Sequence, residues 1–118
     1  VRKKIKQELI RMLRLDGYAQ TRDFLKRKNR FCVLGLLCEL YQEHTGRGSW
    51  EGPYDAGKNN VRDAYCFLAE DEWSIELPSP AILRWAGMDK ELAMKLYKLN
   101  DVERQTFAGI ANYLEAMA

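Results

Sequence analysis

With 118 residues and a mass of 13.8 kDa, the chain has room for a single domain, 1–118, and not for two ordinary ones. Apolar residues make up 47% and charged residues 31% of it, enough for a compact core and a solvated surface, while the longest apolar run, Phe31 to Cys38, includes Gly35 and falls far short of the roughly 18 residues of a membrane span. The net charge is only +2, but residues 1–30 hold eleven Lys/Arg against Glu8, Asp16 and Asp23, a balance of +8, and the remainder of the chain is correspondingly acidic.

Taken in chain order, residues 2–15 read as an amphipathic helix. Ile5, Leu9, Met12 and Leu13 share one stripe, Lys3, Lys4, Lys6, Arg11 and Arg14 lie mostly off it, and Asp16-Gly17 stops it. Phe24-Leu25 and Arg30-Phe31-Cys32 around Lys28-Asn29 are expected to form a short, basic-tipped hairpin. Val33 to Glu43 is apolar on several faces and is expected at the centre of the fold. Gly35 costs that helix about 1 kcal/mol relative to alanine, so a neighbouring backbone is expected to approach closely there. Thr45 to Asn60, rich in Gly, Asn and Asp, reads as an irregular loop anchored by Trp50 and Tyr54. Ala64–Leu68 and Glu72–Leu77 alternate like two strands joined at Ala69-Glu70-Asp71. Ser79-Pro80 then opens a helix that ends at Gly87. A further helix is expected over about 89–99, and a last one from Thr106 through Phe107, Ile110, Leu114 and Met117.

Chemistry-bearing patterns are few. Gly52 to Asn59 nearly matches a phosphate-binding loop, but Asn59 lacks the hydroxyl a magnesium ion needs, Pro53 removes an N–H, and no apolar strand precedes Gly52. Cys32, Cys38 and His44 are spaced by six, which on a helix turns successive side chains about 120° apart and does not make a zinc site. The three cysteines are too few for a disulfide scaffold and fit a reducing cytosol. His44 is the only histidine, and no local signature pairs it with a cysteine nucleophile. Leu96 to Leu114 has the look of the first part of a helix-turn-helix, yet no recognition helix follows; a helix closing the core accounts for it. The opening Val1-Arg2-Lys3-Lys4-Ile5-Lys6 is not the pattern of a secretion leader.

The run Arg30-Phe31-Cys32-Val33-Leu34-Gly35-Leu36-Leu37-Cys38-Glu39-Leu40-Tyr41 resembles a family of small proteins carried by bacteriophages and related mobile elements. So do Trp50, Leu77-Pro78, Trp85-Ala86-Gly87, Leu99-Asn100-Asp101, and Phe107, Ile110, Ala111, Leu114 and Glu115. Tyr18 and Gln20 are similar to an upstream element of that family. Val33, where a third cysteine often sits, and the basic stretch Lys26 to Arg30 depart from its pattern. The resemblance implies a phage setting and no particular activity.

The sequence therefore predicts a helix-dominated α+β domain with a small two-stranded β-hairpin at 64–77, in the cytoplasm of a host bacterial cell, without catalytic residues, metal or cofactor. The function expected first is a non-enzymatic accessory protein that binds a host protein. A second expectation is nucleic-acid binding by the basic segment 2–30, with Lys3, Lys4, Arg11, Arg14, Lys26, Arg27, Lys28 and Arg30 contacting phosphates on one connected surface. A third is a small ligand or nucleotide stacked near Trp50, Tyr54 and Trp73.

Overall fold

The apolar stripe Ile5, Leu9, Met12 and Leu13 is the buried face of the first helix, α1 (Lys3–Arg14), in the computed structural model of the chain, which describes residues 1–15, 17–57 and 61–117. The helix ends on Leu15 rather than Gly17, because the Leu15 N–H turns back onto the Arg11 and Met12 carbonyls; Asp16 lies outside the described residues. A two-residue strand, β1 (Ala19–Gln20), follows. Then comes the hairpin of β2 (Lys26–Arg27) and β3 (Arg30–Phe31), with its turn at Lys28-Asn29 and second arm as expected but its first arm at Lys26–Arg27 rather than Phe24-Leu25.

Next is α2 (Val33–Thr45), with Val33 to Cys38, Leu40 and Tyr41 all buried, so the helix is central as its all-round apolarity demands. Cys32 caps it, its Sγ accepting the Gly35 N–H at 3.3 Å, and Gly46 closes it in the left-handed conformation. The close approach expected at Gly35 is made by Leu25. A Cβ at Gly35 would lie 2.0 Å from the Leu25 carbonyl oxygen, and that carbonyl accepts the Cys32 N–H at 3.1 Å.

The stretch expected as an irregular loop contains a six-residue strand, β4 (Ser49–Tyr54). It pairs antiparallel with β5 (Ala64–Ala69), and the register shifts between Glu51 and Tyr54, where Gly52 and cis Pro53 stand. β4 is an edge strand and Pro53 stands at its register shift, both places where a sheet tolerates a proline. Pairing with β5 therefore overrides a local composition that argues for a loop. β5 turns through Glu70 and Asp71, both left-handed at φ 51° and 64°, into β6 (Glu72–Ser74). This is the geometry of a tight hairpin whose two central residues have positive φ. The strand expected to run to Leu77 stops at Ser74, and the Ile75 carbonyl instead takes the Leu25 N–H.

One edge of β5 carries β4; the other carries β2 at Ala64–Tyr65 and β6 at Phe67–Ala69. The whole is a mixed six-stranded sheet, order β1-β3-β2-β5-β4 with β6 beside β5, in which β1 and β3 are parallel. The α+β class stands, but the helix-dominated domain with only a two-stranded hairpin is corrected. β1, β2 and β3 are two residues long, too short to carry an alternating signature of their own.

The C-terminal half supplies α3 (Pro80–Ala86), α4 (Lys90–Tyr97), a π-helical turn at Lys98–Val102 and α5 (Phe107–Ala116). Asp89 caps α4 by accepting the Leu92 N–H at 2.7 Å, and Thr106 caps α5 by accepting the Gly109 N–H at 3.1 Å. Ser79 occupies the cap position of α3, but its hydroxyl makes no capping bond. α5 packs on α1 and buries Phe107, Ile110, Ala111 and Leu114; it closes the core. All five helices share that core with Phe31, Phe67 and Ala69 of the sheet. Paired strand residues point to the same side and successive ones alternate. Phe31, Lys26, Tyr65, Phe67 and Trp50 therefore face the helices, while Arg30, Arg27, Cys66, Leu68 and Trp73 face outward. Among the described residues no helix is long and apolar enough to cross a membrane.

Candidate functional site

The basic residues of the hairpin divide between the two faces of the sheet. Arg27 and Arg30 are direct cross-strand partners on the outer face, and with Thr21, Lys28 and Asp63 they line a polar cavity of about 230 Å³. Arg27 donates from Nε to Asp63 Oδ1 at 2.8 Å, and the guanidinium holds the Asp63 carboxyl below its ordinary pKa. The backbone ties the tip to the same residue, the Lys28 N–H donating to the Asp63 carbonyl at 3.1 Å. Among the described residues the charged groups of Lys28 and Arg30 have no ion-pair partner.

Lys26, one residue earlier in the strand, turns the other way. Its ammonium lies 4.8 Å from the Tyr65 ring centroid, 5.2 Å from Trp50 and 5.3 Å from Phe31, a bed of aromatic faces that attracts a cation. Tyr18 stacks edge-on against Phe31, and Trp50 donates from its indole nitrogen to Glu39 at 3.0 Å. Burial, with Glu39 and Glu43 nearby, pushes the Tyr18 hydroxyl above its usual pKa. Lys26 is therefore absent from the cationic group formed by its neighbours, because adjacent strand residues alternate faces.

The same alternation separates the three aromatic residues expected to share a pocket. Trp50 packs toward the helices on Phe67 and Phe31. Tyr54 and Trp73 pair with Ala64 and Leu68 on the outer face and are 43% and 59% exposed. Trp50 is therefore on the opposite face of the sheet from Tyr54 and Trp73. Lys3, Lys4, Arg11 and Arg14 stand on the exposed side of α1, which packs on α5 and α2, whereas the hairpin is held through β5. Arg14 is already engaged by Asn112 and Glu115 of α5.

A second concavity went unread in the sequence. The segment before α3, α3 itself and α4 enclose a groove of about 350 Å³ walled by Leu77, Pro78, Leu83, Met88 and Met94, with Arg84 and Lys90 as its charged groups. Leu77 is 37% exposed. The only signal for it was the Leu77-Pro78 and Trp85-Ala86-Gly87 pieces, which mark positions and not a surface.

Residues of several of these motif pieces converge at one buried point, Asn100, which is fully buried in the π-helical turn. Gln20, Thr21, Val33 and Asp101 all bond its side-chain amide. A π turn inside or after a helix often marks a functional position; here each polar atom of the amide is already used, so the cluster ties the fold together. The thiols are remote from such work. Cys32 and Cys38 are buried and Cys66 is half-buried, and His44 bonds Glu8 at 2.5 Å and lies tilted on Trp85. Among the described residues no group of three or more His, Cys, Asp or Glu is arranged to hold a metal. The near-match to a phosphate loop has its Gly52-Pro53 inside β4, and its Lys58 and Asn59 lie outside the described residues.

Fold and surfaces together define a small α+β domain with one main core and a smaller buried cluster at Phe24, Val61 and Ala64, a basic hairpin at one place and an apolar groove at another. The chain belongs to the family described as a domain of unknown function, DUF8296, whose model matches residues 1–118. No curated protein and no solved structure matches it.

Proposed function

We propose that this protein is a non-enzymatic accessory protein of phage type that acts in the bacterial cytoplasm by binding a host protein, and that the groove between residues 77–80, α3 and α4 receives it. The observation that carries this reading is the groove's chemistry. Its walls are leucine, proline and methionine, and the half-buried Met94 supplies adaptable contact surface over the buried Met88. Few polar groups are available to orient a small molecule, which a dedicated ligand pocket would need. Arg84 and Lys90 select for acids beside the apolar anchors. The occupant is then a short amphipathic segment of a host protein, apolar on one side and acidic at its edges. The motif resemblance supports the phage setting.

Arg84 and Lys90 are exposed, so Arg84→Glu with Lys90→Glu leaves the core untouched while reversing the groove's charge. Nuclease-treated host lysate passed over the wild-type protein should yield one stoichiometric partner. That partner should be lost with the groove variant and kept with a Lys28→Ser, Arg30→Ser variant. Equal recovery by both variants removes the groove from the reading. In a parallel run without nuclease, recovery of nucleic acid and no protein replaces protein binding with the nucleic-acid role.

A further inference from the structure

We infer that the tip of the β2–β3 hairpin is a binding site for a phosphate group, held between Arg27, Arg30, Lys28 and Thr21 on the outer face of the sheet. This does not depend on the groove, which involves other elements. The strand pairing at this tip is one that stability alone does not favour. Arg27 and Arg30 stand directly opposite each other in an antiparallel pair, and like charges in that relation destabilise a sheet. One carboxylate, Asp63, answers them, and it engages Arg27 through Nε at 2.8 Å. The two terminal nitrogens of Arg27 are left without a partner among the described residues, so the planar fork that matches a phosphate stays open. Asp63 fixes the direction of that fork while withdrawing one unit of positive charge. Arg30 and Lys28 add two uncompensated cations beside it.

The space between them is a cavity of about 230 Å³, walled by charged and hydroxyl groups, unlike the apolar groove. Thr21 lines it and is 8% exposed. Its backbone is pinned from both sides, the N–H donating to the Phe31 carbonyl at 2.8 Å and the carbonyl accepting Asn100 Nδ2 at 2.9 Å. A hydroxyl on a pinned backbone, an oriented guanidinium and two further cations can together serve several oxygens of one tetrahedral anion. A carboxylate, with two oxygens and one charge, would leave part of this set unused. The phosphate can come from a nucleic-acid backbone or from a free phosphate ester, since the chemistry is shared.

The test is an amide-resonance titration of the whole chain with inorganic phosphate, then with short oligo(dT), against sodium acetate at matched ionic strength. Phosphate and oligo(dT) should shift Thr21, Arg27, Lys28 and Arg30, and acetate should not. Lys28→Ser with Arg30→Ser, both exposed positions, should weaken binding at least about tenfold with the rest of the spectrum retained, as for loss of charge-assisted hydrogen bonds. Arg27→Lys, which keeps the charge and loses the fork, should weaken it as well. If oligo(dT) binds more tightly than phosphate, with a log–log salt slope of about −1.4 for two neutralised phosphates, the source is a nucleic-acid backbone. If it binds no more tightly, the source is a free ester. Shifts confined to other residues, equal shifts with acetate, no shifts at low salt, or an unweakened double variant would each overturn the assignment.

Discussion

Asn100 completes the first turn of α2 from another element, its Oδ1 accepting the backbone N–H of Val33 at 3.3 Å. The same oxygen takes Gln20 Nε2 at 2.9 Å, and Nδ2 donates to the Thr21 carbonyl at 2.9 Å and to Asp101 Oδ1 at 2.6 Å. Since the Val33 N–H can only donate and the Thr21 carbonyl can only accept, these two bonds fix which way the amide faces. Asn100→Leu should leave both backbone groups buried and unsatisfied, at about 1–3 kcal/mol each, a large part of a small domain's stability. Urea unfolding should show the midpoint falling sharply. A midpoint close to wild type would mean that water or a neighbour replaces the amide.

At Gly35, helix propensity and packing oppose each other. Alanine is better in a helix by about 1 kcal/mol, yet its Cβ would lie 2.0 Å from the Leu25 carbonyl oxygen. Backbone cannot yield that distance without disturbing the Leu25–Cys32 bond, and overpacking of this kind costs about 1–3 kcal/mol or more. Gly35→Ala is therefore expected to lower the melting temperature. A rise would show that the segment before β2 is only loosely laid on the helix.

Asp101 makes stability depend on pH in the less usual direction. Burial pushes its carboxyl above the ordinary range, with the Asn100 hydrogen bond opposing. A raised folded-state pKa means that the folded chain holds the proton more tightly than the unfolded one. Stability is then lost as pH climbs from the ordinary carboxylate pKa through the raised value. Asp101→Asn removes the charge, so its stability relative to wild type should be more favourable at pH 7 than in acid below both pKa values. A difference that does not change with pH would show that Asp101 is solvated in the folded state.

The cysteines should react in an order set by burial. Cys32 is pushed up to about 12 and Cys38 well above its ordinary value, both by burial, so both remain thiols at neutral pH and are poor nucleophiles. Cys66, half-buried on the outer sheet face, is expected to be alkylated first, and the other two only on unfolding. Mass spectrometry of a timed iodoacetamide reaction resolves this; early modification of Cys32 would contradict the packing around the α2 cap.

Lys26 should behave unlike the cations beside it. Lys26→Met removes an ammonium held on Tyr65, Trp50 and Phe31, an attraction worth about 0.5–2 kcal/mol. Trp50 emission should change, and the salt dependence of anion binding should not. A shallower salt slope would return Lys26 to the phosphate-contacting group.

Much of the fold follows from patterns that need no partner to be read. The stripe of α1, the all-round apolarity of α2, the Thr106 cap and the Gly87 terminus are local requirements of helical geometry, and they appear where the residues dictate. Even the close approach at Gly35 is inferable from a glycine placed against its propensity. The sheet was decided elsewhere. β2 and β3 pair locally, but β1 is completed by β3 and β2 by the distant β5, and β4 forms through Gly52-Pro53 because β5 lies beside it. Registry then determined the sites. A run of basic residues in sequence became an aromatic-bedded Lys26 on one face and an opposed Arg27–Arg30 pair on the other, since alternation along a strand is invisible until the strand is known. The groove between α3 and α4 likewise arises from how two helices sit together, a relation carried by the core they share and by no local run of residues.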